Sequence, residues 1–331
     1  MKTVSVVVPC FNESEVIDAT VAELLSVTQG IQGYQFELIF VNDGSADDTE
    51  AKLLGHSKQH DNVRLISFSR NFGHQQAVSA GIDVSTGDAV VLIDADLQDP
   101  PKLIADMIEK WQQGFEVVYA TRLTREGEST FKKLSAKYFY RFLNAMSEVP
   151  IPLDTGDFRL MDRQVVEQLK AMPEHHRFVR GMVSWVGFNQ TSITYERAPR
   201  FAGESKYPLI KMVKFGFDGI LSFSVKPLKL SIAMGFFCSA IALIMLIYSL
   251  YVRLMTHHWE SGWTSVIVSV LFMGGVQLIC IGILGEYIAR IYNESKRRPL
   301  YIIKNKLQQD PNEAQEQSKL DIEQEDIRHV G

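Results

Sequence analysis

The sequence predicts an α/β fold with a mainly parallel sheet, followed by an amphipathic helix and two long apolar helices. Three observations predict it. Short apolar runs rich in β-branched residues alternate with amphipathic stretches through the first 120 or so residues. Those runs end in Asn, Asp and Glu. Late in the chain, Leu230–Val252 and Ser261–Gly285 run for 23 and 25 residues without a charge, each longer than the roughly 20 residues that cross a bilayer.

In order, Val4–Val8 reads as a buried strand ended by Pro9, with Asn12 and Glu13 just beyond it. Glu15–Val27 has helical spacing. Phe36–Val41 is a second strand, closed by Asn42-Asp43-Gly44-Ser45, and Asp47–His60 is helical. Val63–Ser67 is a third strand, and Arg70-Asn71-Phe72-Gly73 leads into a helix to about Val84. Gly87-Asp88 turns the chain into Val90–Ile93, which ends in Asp94-Ala95-Asp96. Pro100-Pro101 then opens a helix ending near Gly114, since Pro suits the first turn. Val117–Ala120 is a further strand, with Arg122 after it. Strands alternating with helices through short loops form a parallel sheet with right-handed crossovers. Its carboxyl ends share one edge, where ligands bind in open α/β sheets. Asn12, Glu13, Asp43, Asp94 and Asp96 all fall on that edge.

Two Asp one residue apart at a strand end repel unless a cation lies between them. Hard oxygen donors with room for phosphate oxygens suit Mg²⁺ or Mn²⁺. Asp43 is placed to hydrogen-bond a base or ribose, and the backbone after Pro9 to line a nucleoside. Each cluster also has a plainer reading: Asp94 as a helix cap with Asp96 solvated, and Asn42–Ser45 as an ordinary turn. Neither a Walker loop nor G-x-G-x-x-G occurs, which removes the main support for P-loop and dinucleotide readings. The net charge of −5 gives no reason to expect nucleic acid. Three scattered Cys (Cys10, Cys238, Cys280) make no disulfide framework. A strand-like segment follows Met1-Lys2-Thr3, so no signal peptide is expected. His74, His175 and His176 lack metal-ligand spacing and read as surface or core histidines.

The chain divides into a catalytic-type domain over 1–206, an amphipathic interfacial helix over 207–225, a transmembrane hairpin over 226–290 (spans 230–252 and 263–285) and a tail over 291–331. Leu209, Ile210, Val213, Phe217, Ile220 and Leu221 recur at helical spacing, with Lys211, Lys214 and Asp218 on another face. Lys226 and Lys229 precede the first span; Arg290, Lys296, Arg297, Arg298, Lys304 and Lys306 follow the second. The positive-inside rule places both flanks in the cytoplasm. Tyr248, Tyr251, Trp259 and Trp263 suit the far interface. Ser231, Gly235 and Ser239 form a small-residue stripe that allows close helix approach, to the second span or to another copy. Glu286 and Arg290 are spaced to pair. From about Gln308 the tail is polar and acidic and is expected to be disordered.

Val8-Pro9-Cys10-Phe11-Asn12-Glu13, Val41-Asn42-Asp43-Gly44-Ser45 and Asp94-Ala95-Asp96-Leu97-Gln98-Asp99-Pro100 together resemble the family 2 glycosyltransferases of GT-A, Rossmann-like fold. Arg70-Asn71-Phe72-Gly73, Gly156-Asp157-Phe158-Arg159-Leu160 and Gly203-Glu204-Ser205-Lys206 resemble the polyprenyl-phosphate glycosyltransferases, relatives of dolichyl-phosphate mannose synthase. Within these the pattern is most similar to the bacterial bactoprenol glucosyltransferases, over residues 3–305. The resemblance implies a nucleotide-sugar donor held by Pro9, Asn12, Glu13, Asp43, Arg70 and Asp94. It implies a metal on Asp94, Asp96 and Gln98. Two phosphorus centres must then share a site, and Arg122, Arg200 and Lys206 are the cations that could offset the lipid phosphate. Asp157 is the candidate base, or an orienting group, since a phosphate monoester with a second pKa of about 6 is already ionised at neutral pH.

The expected reaction is inverting transfer of a hexose from a UDP-sugar to undecaprenyl phosphate at the cytoplasmic face of a bacterial inner membrane. A flippase and an outward-facing transferase would use the product, and a homo-oligomer fits the small-residue stripe. UDP-glucose is favoured by pattern similarity; UDP-galactose, UDP-N-acetylglucosamine and GDP-mannose stay open. A processive polysaccharide synthase is disfavoured, because Trp185 is not preceded by Gln-x-x-Arg and two spans make no channel. A non-catalytic membrane scaffold is disfavoured because Asp94, Asp96 and Asp157 are all present.

Overall fold

The computed structural model describes residues 1–122, 155–196, 224–255 and 262–307. Arg200, Lys206, residues 207–223 of the helix expected over 207–225, the loop over 256–261 and the tail from 308 lie outside the described residues. The sheet has eight strands in the order β7-β5-β6-β4-β1-β2-β3-β8. In chain order they are β1 (Lys2–Cys10), β2 (Tyr34–Asn42), β3 (Val63–Phe68), β4 (Ala89–Leu92), β5 (Val117–Arg122), β6 (Thr155–Asp162), β7 (Gln190–Tyr195) and β8 (Ile303–Leu307). Between them run α1 (Ile17–Gly30), α2 (Thr49–Gln59), α3 (His74–Val84), α4 (Leu103–Gln112), α5 (Arg163–Ala171) and α6 (Val179–Val186). Two long helices follow, α7 (Lys226–Met255) and α8 (Trp263–Ser295).

The apolar runs of β1, β2 and β4 are buried on both faces, which is why they read as continuous rather than alternating. Val6, Val8, Leu38, Phe40 and Val91 face α1, α2 and α4, meeting Ile17, Leu24, Leu53 and Ile104. Val7, Ile39, Val41, Val90 and Leu92 face α3, α5 and α6, meeting Ala77, Val78, Val165 and Met182. Each fully buried side chain of this kind contributes about 1.5–3 kcal/mol. Gly81 lets α3 lie directly on β1: a Cβ there would sit 2.1 Å from a methyl of Val7.

Parallel pairing joins β1 to β2, β1 to β4, β2 to β3 and β5 to β7. The chain leaves β1 toward β2 and β3, then returns to β1's other side as β4. The order therefore reverses between β1 and β4, and the crevice at such a reversal is where ligands bind. The last bond across this pair is Ile93 N–H to Val7 O at 3.1 Å. Pro9, whose missing N–H would harm a central strand, lies beyond it, where β4 has already turned away.

Two elements run antiparallel within this mainly parallel sheet. β6 inserts antiparallel between β4 and β5, with Leu92 opposite Arg159. β8 returns after α8 and pairs antiparallel with β3 at the sheet edge. Tyr301, just before β8, stacks on Phe68 with ring centroids 5.0 Å apart and donates to Asp83 at 2.8 Å.

Both α7 and α8 are long and apolar enough to cross a membrane. They carry exposed apolar side chains, including Phe236 at 75% exposure and Leu278 at 72%. Cys280 Sγ lies 3.8 Å from Ser231 O, so α8 approaches α7 at one residue of the small stripe. Arg290 Nε lies 3.7 Å from Glu286, the pair expected from their spacing.

Candidate active site

The loops after β1 and β2 are tied into one platform. Asn12, with φ 54°, donates its N–H to Ser45 Oγ at 3.0 Å, and its side-chain oxygen accepts from Ala46 N–H at 2.9 Å. Glu13 N–H donates to Thr49 Oγ1 at 2.9 Å, and Ser14 N–H to Asp47 at 3.1 Å. Asn12 thus shapes the platform through contacts within the protein. Asp43 is buried and accepts from the amides of Phe72 (2.7 Å) and Gly73 (2.9 Å). Burial raises its carboxyl from the usual value, and those amides offset part of the rise. Gly44 packs on the same loop: with φ +64°, a Cβ there would come within 2.3 Å of the Arg70 carbonyl carbon. Arg70 is exposed at the lip, its guanidinium 4.0 Å from the Phe72 ring centroid.

The acidic turn after β4 is held from behind. Thr20 Oγ1 on α1 donates to Ala95 O at 2.7 Å, between the two acids. Gln98 N–H donates to Asp96 Oδ1 at 3.1 Å, and Leu97 takes φ 54° to make the turn. Tyr195 hydrogen-bonds Asp99 and closes the far side. Strain of this kind in a non-glycine residue recurs at ligand sites.

Asp157 joins this turn because β6 runs antiparallel to β4. Leu92 faces Arg159, so the residue two further along β4 is level with the residue two earlier on β6. Arg180, from α6, reaches Asp157 Oδ1 at 3.1 Å through NH2 and 3.3 Å through Nε. His74, the first residue of α3, lies 3.1 Å from Asp157 Oδ2 and 3.8 Å from Asp94 Oδ1. Arg159 is buried and donates to the Gly156 and Asp157 carbonyls at 3.0 and 3.2 Å. Burial alone would raise Asp157, but the Arg180 charge and the His74 hydrogen bond hold it well below the usual carboxylate range. For His74, burial works toward a lower value, and the Asp157 bond and the Asp94 charge outweigh it, to about 9.

The family model described as "Glycosyl transferase family 2" matches residues 5–170, and the one described as "GtrB C-terminal hairpin" matches residues 226–291. The chain belongs to glycosyl transferase family 2. An uncharacterized glycosyltransferase, YkcC, of Bacillus subtilis (strain 168) is 52% identical over 90% of this chain and 92% of its own length. A bactoprenol glucosyl transferase of Shigella phage SfV is 44% identical over 92% of this chain and 99% of its own. A solved glucosyl-3-phosphoglycerate synthase from Mycobacterium tuberculosis overlaps 67% of this chain and 79% of its own at 23% identity, with a TM-score of 0.45. The folded half of this family 2 glycosyltransferase is of the GT-A kind, and its two apolar helices are candidate membrane spans.

The structure brings Pro9, Asn12, Glu13, Asp43, Asp94, Asp96, Gln98 and Asp157 to one edge of the sheet. Arg122 ends β5 at the same edge, its side chain outside the described residues. The acidic turn fits a divalent cation. Burial raises Asp94 to about 6; His74 offsets part of this, and the charges of Asp157, Asp99 and Asp96 add to it. Among the described residues no three His, Cys, Asp or Glu side chains form a cage. Two carboxylates on one turn suit a hard cation that completes its shell with phosphate oxygens and water.

His74 and Arg180 join the acids at this edge, although nothing in their sequence spacing singles them out. His74 was expected on the surface or in the core, as its metal-ligand spacing is absent. Its partner lies 83 residues away, so spacing carried no signal. Its position at the start of a helix, directly after the Arg70–Gly73 motif, was the available clue.

Proposed function

We propose that the chain transfers a glucosyl group from UDP-glucose to a polyprenyl phosphate of undecaprenyl type at the cytoplasmic face of a bacterial plasma membrane, with inversion, releasing UDP. The observation that carries this reading is the joining, in this chain, of the acidic sheet edge to two apolar helices, together with its similarity over 97–99% of the length of relatives named for bactoprenol glucosyl transfer. The β1–β2 platform supports nucleoside binding, with Pro9, Asn12, Glu13 and Asp43 shaping it and Arg70 at its lip. Asp94, Asp96 and Gln98 would hold Mg²⁺ or Mn²⁺, which would offset diphosphate charge as the leaving group departs. Arg122, Arg200 and Lys206 would offset the acceptor phosphate. Asp157, kept ionised, would orient the acceptor by holding the Arg180 and His74 donors beside it, since the phosphate arrives already deprotonated and a carboxylate cannot hydrogen-bond it directly. The cations at Lys226, Lys229, Arg290 and Lys296–Arg298 support a cytoplasmic placement of the catalytic half. The glycosyl lipid would then need a flippase and an outward-facing transferase. The Ser231, Gly235 and Ser239 stripe leaves room for a second copy beside α7.

The test is an assay of purified protein in detergent with Mg²⁺ or Mn²⁺, undecaprenyl phosphate and a panel of radiolabelled UDP-glucose, UDP-galactose, UDP-N-acetylglucosamine and GDP-mannose. The expected result is an organic-phase, mild-acid-labile product from UDP-glucose, reduced at least ~100-fold in Asp96→Ala. Label recovered only in water-soluble polymer, or no product from any donor, would overturn the reading.

A further inference from the structure

His74 stands between the two acids that the transfer reaction assigns to different substrates. Its Nε2 is 3.1 Å from Asp157 Oδ2 on β6 and 3.8 Å from Asp94 Oδ1 beyond β4. A carboxylate only accepts, so Nε2 must carry the hydrogen. Asp157 is thereby held on both oxygens, Oδ1 by Arg180 and Oδ2 by His74. The backbone that presents His74 is fixed in turn. Phe72 and Gly73 donate their amides to Asp43 at the end of β2, and the Gln76 and Ala77 amides close on Gly73 O at 3.1 and 3.0 Å to start α3. A continuous set of contacts thus runs from the nucleoside-side strand end to the acceptor-side carboxylate, with His74 at its centre.

We infer that His74 is a positioning residue, which fixes the Asp157 carboxylate, and the Arg180 donor bound to it, relative to Asp94 and so sets the line along which the acceptor phosphate meets the donor's anomeric carbon. The inference rests on the assignment of Asp94 to the donor side and Asp157 to the acceptor side. A displacement of about 1 Å at such a group can cost on the order of 100-fold in rate. The geometry also separates the replacements. A glutamine amide can put its nitrogen where imidazole Nε2 lies, whereas an asparagine amide stops near the Nδ1 position and cannot reach Asp157.

The experiment compares His74→Gln and His74→Asn in the full-length enzyme, with UDP-glucose and undecaprenyl phosphate, and adds Asp157→Asn and the double variant His74→Asn/Asp157→Asn. The Asn variant should lose ~30–100-fold in kcat, with KM for UDP-glucose within ~3-fold. The Gln variant should recover to within ~5-fold of wild type, and the double variant should fall no further than Asp157→Asn alone. Equal rates for the Gln and Asn variants would overturn the inference, as would losses that multiply in the double variant. An inactive wild type would instead remove the reading beneath it.

Discussion

The proposed chemistry is most concentrated at Asp157. Its carboxylate has Arg180 on one oxygen and His74 on the other, and both favour the charged form. Replacing it with asparagine keeps the shape but removes the charge. Asp157→Asn should lose at least ~100-fold in turnover while UDP binding, read by titration with Mn²⁺ present, stays within ~3-fold of wild type. Full turnover in that variant would remove Asp157 from the mechanism. The sequence made Asp157 legible through its motif but hid its partners. Arg180 lies 23 residues further along and His74 83 residues before, and neither separation has a helical or strand period. Asp43 carries a similar lesson. The turn chemistry around it is visible in Asn42-Asp43-Gly44-Ser45, yet its bonds to Phe72 and Gly73 depend on how two βα loops meet. The plain-turn and ligand-platform readings of that stretch are compatible, because the turn is what holds the platform.

Among the elements, the strands with unbroken β-branched runs were legible: β1 to β5 lie where the apolar pattern puts them. β6 was not, because Thr155–Asp162 interleaves Asp157 and Arg159 with Phe158 and Leu160 and offers no unbroken apolar run. β8 was hidden differently: Ile303–Leu307 is short, three of its five residues are charged or polar, and it follows two apolar helices. It covers the edge of β3, which would otherwise expose unpaired backbone groups. Opposite the active edge, Glu37 joins β2 to its neighbours. It accepts from Arg64 at 2.9 Å and from the Thr86 amide at 2.7 Å, and also bonds Ser5. Burial would raise its carboxyl, but the bonds from Ser5, Thr86 and Arg64 outweigh this and hold it below 4.5. Its stabilisation is therefore present above the unfolded value of about 4.5 and is lost as the pH falls through the lowered folded value. Glu37→Gln should cost ~1–2 kcal/mol at pH 7, with the gap to wild type narrowing toward pH 3, as read from denaturant midpoints of the detergent-solubilised protein. A constant gap across that range would show that the charge is irrelevant there.

At the scale of the whole molecule, the chain leaves the catalytic half, passes through two apolar helices and comes back to the sheet. The end of α8 meets the catalytic half where Glu294 bonds the His175 amide at 2.9 Å and its ring at 3.2 Å. The segment then reaches Phe68 and β3 from the carboxyl edge, the edge that carries the acids. A polyprenyl phosphate keeps its chain in lipid and its phosphate at headgroup level, so an enzyme acting on it gains from a site edge tied to its membrane helices. The two apolar stretches were plain in the sequence by length alone. Their attachment to the sheet was not, since it rests on Glu294, Tyr301 and five residues of β8. The measurement that tests the central claim most directly is the structure of the lipid product made from UDP-glucose, by mass spectrometry and by the anomeric proton coupling in NMR. The account predicts one hexose on undecaprenyl monophosphate, β-linked from the α-linked donor. A diphosphate-linked sugar, an α-linked product or a growing glycan would contradict it.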